Sequence, residues 1–344
     1  MKVRLERSDE YMHPGPEPTF NESMYFNLYD PAAELGGFVR LGNRPNEGHA
    51  EMTVCLYLPD GRVGFMFTRP EITHNERFDA GGASFEVVEP FEELRVAYAG
   101  KVVLLDEPLD MADPRQAFTD NPYDTAGVEL TYTGVSAPFG GEPEESHERP
   151  GEEFAKGHYE QLVRGVGTVT VGQDTWTVDG HGLRDHSWGP RTWQAPWYYR
   201  WLTVNFGDGT GMMLSRIARQ DGPGTRGGFL WDGTGLQLIR DVELSTGWDG
   251  EDRYHRTVHA TFTTARDGEA RDADGVVSRE LTGEVMNLIP LRNRRDGRVT
   301  RISEGLTRWT LDRALGADPT ATVGHGLSEY LDQIIDGAPV GIDE

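Results

Sequence analysis

The chain has 344 residues, enough for two domains of ordinary size or one large all-β unit, and enough to bury a real core. Its 57 acidic and 33 basic side chains give a formal charge of −24, a field that repels phosphate backbones and anionic lipid surfaces and so argues against nucleic acid as a partner. One cysteine, Cys55, excludes an intrachain disulfide, and 43 glycines with 20 prolines punctuate many short strands rather than a helical bundle.

The opening MKVRLERSDEY lacks the apolar stretch of a signal peptide, and no run approaches the ~18 apolar residues of a membrane span. A cytoplasmic protein without a transmembrane segment is expected. Lysine occurs only at Lys2, Lys101 and Lys156. An acidic, lysine-poor surface suits a high-salt cytoplasm, and a GC-rich genome would produce the same bias. Oligomeric state has no signature.

In chain order, FNESMYFNLYD (Phe20–Asp30) reads as a strand entered through Asn21, Glu22 and Ser23, with Tyr25 and Tyr29 within it. Glu22 is either a buried carboxyl across a pocket or a strand-entry cap. His49–Phe67 reads as a hairpin: Met52, Val54, Leu56 and Leu58 share a face and Pro59-Asp60-Gly61 makes the turn. ELRVAYAGKVVLLD repeats the form, with Gly100 at the bend. PFGGEPEESHERP, between Pro138 and Pro150, has linker composition. It divides the chain into 1–150 and 151–344, each expected to hold one antiparallel β-domain.

Further strand pairs follow around Gly172-Gln173-Asp174 and Gly207-Asp208-Gly209, then over RYHRTVHATFTTARDGEARDADG and GEVMNLIPLRNRRDGRVTRISEGLTRWTL. In GLSEYLDQIIDG, Leu327, Tyr330, Leu331, Ile334 and Ile335 follow the spacing of an amphipathic helix with Gly337 as its cap. A short C-terminal helix is expected there.

The chemistry concentrates in GHGLRDHSWGPRTWQAPWYYRW (Gly180–Trp201), which holds four of the eight tryptophans. Asp185 beside His186 is a candidate acid/base pair. In an apolar pocket desolvation would raise the carboxyl pKa and let Asp185 deliver a proton. Alternatively, Arg184, Asp185, His186 and Ser187 satisfy one another at a strand end. On a strand, Trp197, Tyr199 and Trp201 face one side and Tyr198 and Arg200 the other. With Trp188 and Trp193 they can wall a pocket or steady a carbocation, and they can equally be core. His181 and Tyr25 complete the candidate lining, with Arg184 suited to a polar end of the ligand.

No metal and no cofactor is expected. His255 and His259 sit four apart on a predicted strand, roughly 13 Å, too far for one ion. His181 and His186 have no third ligand at recognisable spacing. No dinucleotide fingerprint, P-loop or nucleophile elbow is present.

The run Asp185-His186-Ser187-Trp188-Gly189 resembles the Asp-His-x-Trp-Gly motif of the carotenoid hydratase (hydroxyneurosporene synthase) superfamily. The fuller Arg-Asp-His-Ser-Trp-Gly form and the upstream Asn21-Glu22-Ser23 are similar to uncharacterised bacterial members. The resemblance implies two tandem lipocalin-like β-barrel or sandwich domains over nearly the whole chain. It also implies chemistry on lipophilic substrates: protonation and hydration of isoprenoid double bonds, or cycloaddition promoted by substrate shaping. Those hydratases tend to carry an aromatic residue just before Asp-His, where this chain has Leu183-Arg184. Three readings follow. The first is a hydratase/cyclase acting on an isoprenoid-like or polyketide-like molecule, with Asp185 as acid and His186 orienting it. The second is a lipophile-binding protein in which the pair is a buttress. The third is a cyclase that shapes its substrate without acid, as a pericyclase does.

Overall fold

The computed structural model describes the chain apart from residues 1–2, 144–154, 192–194, 222–223, 267–276, 296, 317 and 344. It is all-β, as the spacing of turn signals requires, and forms two compact units. One contains Met1–Glu107 and Ala117–Ala195, the other Pro108–Gln116 and Pro196–Glu344. No helix among the described residues is long and apolar enough to cross a membrane.

The first unit is a closed barrel of eight antiparallel strands: β1 (Phe20–Asp30), β2 (Leu35–Arg44), β3 (His49–Tyr57), β4 (Val63–Thr68), β5 (Glu93–Leu105), β6 (Tyr123–Gly134), β7 (Gly157–Val171) and β8 (Asp174–Pro190). Neighbours pair in that order, β6 pairs β7, and β8 returns to β1. Closure leaves no open edge among these strands. Met24, Phe26 and Leu28 of β1 meet Met52, Val54 and Leu56 of β3 and Val163 of β7 in the interior. Each buried side chain of this size contributes roughly 1.5–3 kcal/mol.

Two expectations are corrected here. ELRVAYAGKVVLLD is one strand, β5, running straight through Gly100: its backbone pairs continuously with β6 from Glu93 to Val103, and that ladder outweighs the local freedom of one glycine. The division of the chain falls near Ala195 rather than at 150. β7 and β8 complete the first barrel through pairing with β6 and β1, a long-range requirement that linker composition does not reveal. Residues 144–150 of the expected linker lie outside the described residues.

The second unit is an eight-strand meander: β9 (Tyr198–Phe206), β10 (Gly211–Ala218), β11 (Thr225–Trp231), β12 (Leu236–Asp249), β13 (Tyr254–Arg266), β14 (Val277–Arg295), β15 (Arg298–Leu311) and β16 (Val323–Ile335), closed by pairing of β16 with β9. The expected C-terminal helix is β16. Residues 326–333 are buried on both faces, so apolar residues at helical spacing also fit a fully enclosed strand. Gly337 is not a helix cap. With Asp336 (φ 49°) and its own φ of 82°, it makes the two-residue turn that pairs Ile335 with Ala338, the geometry that Asp-Gly favours.

Candidate functional site

β8 lies between β7 and β1, and its alternation splits the motif between two faces. Arg184, His186 and Trp188 point to the face shared with Gln161 and Tyr159 of β7 and with Glu22, Met24 and Phe26 of β1. Asp185 and Ser187 point the other way, opposite Glu160 and His158 on β7 and Tyr25 and Ser23 on β1.

The inner cluster is a continuous hydrogen-bonded chain. The Arg184 guanidinium grips Glu10 at two points, Nη1 to Oε1 at 2.7 Å and Nη2 to Oε2 at 2.8 Å, with both side chains fully buried. Arg184 also donates to Gln161 Oε1 from Nε (3.0 Å) and Nη2 (2.8 Å). Glu10 accepts the backbone N–H of Phe91 (2.8 Å) and the Tyr159 hydroxyl (2.6 Å). Phe91 holds a left-handed φ of 65°, a conformation that persists because Glu10 fixes its N–H and Gln161 donates to its carbonyl.

Tyr159 Oη lies 3.3 Å from His186 Nδ1, and His186 Nε2 lies 2.7 Å from Glu22 Oε1. Glu22 in turn faces His13 Nδ1 at 2.9 Å. His13 stacks on the Trp188 indole, with ring centroids 3.9 Å apart. His13, Glu22 and His186 bring one ligand atom each to within 4.8 Å of one another, a grouping that could hold a metal ion.

The electrostatics follow from burial and pairing. Burial alone would raise Glu10, but the charge and hydrogen bonds of Arg184, with His186 and Tyr159, hold its carboxyl below 4.5. Burial likewise opposes Glu22, which its hydrogen bonds from His13 and His186 keep below the ordinary glutamate value. Burial pushes the Tyr159 hydroxyl well above 10. These are the signatures of ionised carboxylates neutralised by fixed donors.

On the other face, Asp185 Oδ2 lies 3.4 Å from His158 Nε2, and Glu160 Oε1 is 4.0 Å from the same nitrogen. The Asp185 side chain keeps 17% exposure, so its carboxylate can reach a ligand where the inner cluster cannot, while the His158 Nε2 that faces it is buried. Burial would lower the His158 imidazole, but the nearby Asp185 carboxylate and the charge of Glu160 outweigh it and raise it above its ordinary value. Tyr25, directly across from Asp185, stacks on Phe38 with ring centroids 5.3 Å apart and sets an aromatic surface beside the carboxylate.

Of the residues singled out from the sequence, Arg184, His186, Trp188 and Glu22 come together on the inner face, and Asp185 and Tyr25 on the other. His181 is further along β8, opposite Arg164 and Tyr29. Tyr199 and Trp201 are on β9 in the second unit, buried on the face opposite Leu202 and Val204 of its core. Tyr199 donates its hydroxyl to Glu329. Trp197 is partly buried just before β9, and Trp193 lies outside the described residues. Arg184 and Glu10 are committed to each other, which leaves the guanidinium no free face for a ligand.

Sequence reasoning missed Glu10, His13, Tyr159, Gln161 and His158. Tyr159 and Gln161 had a signal, the alternation of β7 against the motif strand. Glu10 and His13 lie in the segment before β1, with no periodicity to mark them.

A family profile described as a domain of unknown function, DUF7064, matches residues 6–334. No curated protein matches the chain. Among solved structures, a putative AttH from Nitrosomonas europaea is 14% identical with a TM-score of 0.57, covering 96% of each chain. Kievitone hydratase from Nectria haematococca is 10% identical with a TM-score of 0.53, over 90% of this chain and 88% of its own. CghA with Sch210972 is 14% identical with a TM-score of 0.52, over 91% and 88%. At such identities the likeness establishes the fold, two lipocalin-like β-units in tandem.

Proposed function

The chain belongs to the DUF7064 family, a domain of unknown function, and we propose that it is a hydratase/cyclase-type enzyme acting on a lipophilic, isoprenoid-like or polyketide-like small molecule. The observation that carries this reading is the Asp185–His158 pair, 3.4 Å apart with the Asp185 carboxylate partly exposed. The charges of Asp185 and Glu160 favour the protonated form of its imidazole over burial, so the pair can hold a proton.

The proton held on His158 passes through the Asp185 carboxylate to one carbon of a double bond; the π electrons form the C–H bond and the positive charge is left on the other carbon. Water, or a second double bond of the substrate, captures the cation, and the surplus proton returns to the pair. Tyr25 and Phe38 offer π-faces beside the acid, and a desolvated cation–π contact contributes about 0.5–2 kcal/mol. The resemblance of Asp185–Gly189 to the carotenoid hydratase motif supports this reading, as does a neighbour named kievitone hydratase with the same fold. His186 acts through the frame: its bonds to Tyr159 and Glu22 fix the strand that presents Asp185.

Turnover of a compound captured from a lysate of the source organism tests the proposal. Asp185→Asn should bind the compound and lose about 100- to 10,000-fold in kcat. Unchanged kcat would remove Asp185 from the chemistry.

The self-satisfied inner cluster favours a second reading, a lipophile-binding protein in which the motif only holds the barrel. In that case the captured compound is recovered unaltered by wild type and variant alike.

A further inference from the structure

We propose that His13, Glu22 and His186 form a two-histidine, one-carboxylate site for a divalent first-row transition-metal ion. The proposal is independent of the function assigned to Asp185 and His158. It rests on how the outer atom of each of these three side chains is held.

A tyrosine hydroxyl has one proton. Tyr159 Oη lies 2.6 Å from the Glu10 carboxylate, which only accepts, so the proton is committed there. The 3.3 Å contact between Tyr159 and His186 then runs from an N–H at Nδ1 of His186 to the tyrosine oxygen. Nε2 of His186 points at Glu22 Oε1, 2.7 Å away; without an ion a second ring proton makes the hydrogen bond to Glu22, and a bound ion takes the place of that proton.

Glu22 Oε2 is held by the backbone N–H of His13 at 2.8 Å and by Asn75 Nδ2 at 3.3 Å. Asn75 is itself oriented by Asn43, which donates to its Oδ1 at 3.0 Å. Oε1 is thereby turned inward. His13 directs Nδ1 at that same oxygen, 2.9 Å away, while its Nε2 lies 3.8 Å from Asp9 Oδ1.

His186 thus has its far nitrogen on an oxygen acceptor and Glu22 its far oxygen pinned, while the far nitrogen of His13 faces Asp9 at a longer 3.8 Å. Metal-binding residues are characteristically supported in this way. The Trp188 indole closes one side by stacking on His13. Glu22 and His186 are fully buried and His13 is 17% exposed, so an ion enters past His13.

The separations select the geometry. Bonds of about 2.1 Å place ligand atoms about 3.0 Å apart at right angles and about 3.4 Å apart in a tetrahedron. The carboxylate-to-histidine distances, 2.7 and 2.9 Å, match the right-angle case. We take the right-angle case, a six-coordinate ion such as Fe(II), Mn(II), Co(II) or Ni(II), with tetrahedral Zn(II) as the alternative that the test separates.

The test uses full-length protein without a histidine tag, stripped with chelator and dialysed separately against each of these ions and Zn(II), with bound metal counted by elemental mass spectrometry. The expected result is one equivalent per chain. Co(II) should give the weak visible absorption of a six-coordinate ion, and Co(II) or Ni(II) should quench tryptophan fluorescence. His13→Ala, at the accessible edge, should retain the far-ultraviolet dichroism of the fold and lose at least tenfold in affinity. Glu22→Gln, if it folds, should lose more. Substoichiometric binding of every ion, or equal binding by His13→Ala, overturns the proposal and leaves the three residues a hydrogen-bonded triad.

Discussion

The Arg184 guanidinium and the Glu10 carboxylate meet at two points, 2.7 and 2.8 Å, with neither side chain exposed to solvent. Arg184 is on β8, whereas Glu10 lies 174 residues away in the segment before β1, so the contact ties the N-terminal segment to the barrel. Breaking such a pair from one side leaves an uncompensated buried charge. Arg184→Met or Glu10→Gln should each lower the stability of the first unit by about 3–5 kcal/mol, read from urea unfolding followed by tryptophan fluorescence. The double variant Arg184→Met/Glu10→Leu should cost less than the sum of the single losses, because it removes both charges together.

The same pair sets an acid limit. Glu10 is held below 4.5 in the folded chain and returns to that value on unfolding. Its contribution is therefore complete above about pH 4.5 and disappears as pH falls through the folded pKa. The urea midpoint of the first unit should drop on acidification in wild type, and the slope should flatten in Glu10→Gln. Equal slopes would mean that Glu10 is not the group being protonated.

His255 in the second unit gives an independent signal. Burial, then the charge of Arg200, lowers its pKa from 6.5 to about 3. Nε2 is anchored on Ser328, 2.9 Å from its hydroxyl, and the ring stacks on Tyr330 at 4.0 Å. The unfolded chain takes up a proton near pH 6.5 that the folded ring refuses until about 3, so this contribution is full above 6.5 and declines toward 3. The His255 Cε1–H resonance should stay fixed between pH 8 and 4.5. A shift centred near 6.5 would place the ring in water.

Gly157 lies opposite Trp188 in the β7–β8 ladder, and a Cβ there would lie 2.2 Å from two indole carbons. Gly157→Ala should push the indole off His13 and cost about 1–3 kcal/mol by overpacking. A shifted tryptophan emission maximum at unchanged secondary structure would report the displacement.

Much of the architecture was legible where a local rule sufficed. The face shared by Met52, Val54, Leu56 and Leu58 is the barrel interior, and the turn at Gly207–Gly209 joins β9 to β10. β16 was obscured because a strand buried on both faces has no period of two, and its Asp336-Gly337 turn also resembles a helix cap. In the site, alternation along β8 already implied that Asp185 and His186 face apart. What lay beyond the sequence was their partners: His158 reaches Asp185 through strand register, and Glu10 and His13 reach the inner face only through the closed fold.

Chemistry at the Asp185–His158 face would move a proton between solvent and a carbon of the substrate. The most direct test incubates wild type and Asp185→Asn in deuterated buffer with the compound that the wild type captures, and reads the product by mass spectrometry. Wild type should place one solvent deuterium on a carbon of the product. Asp185→Asn should return the compound unchanged. Conversion at the wild-type rate by the variant, or no conversion by the wild type, would contradict chemistry at this face.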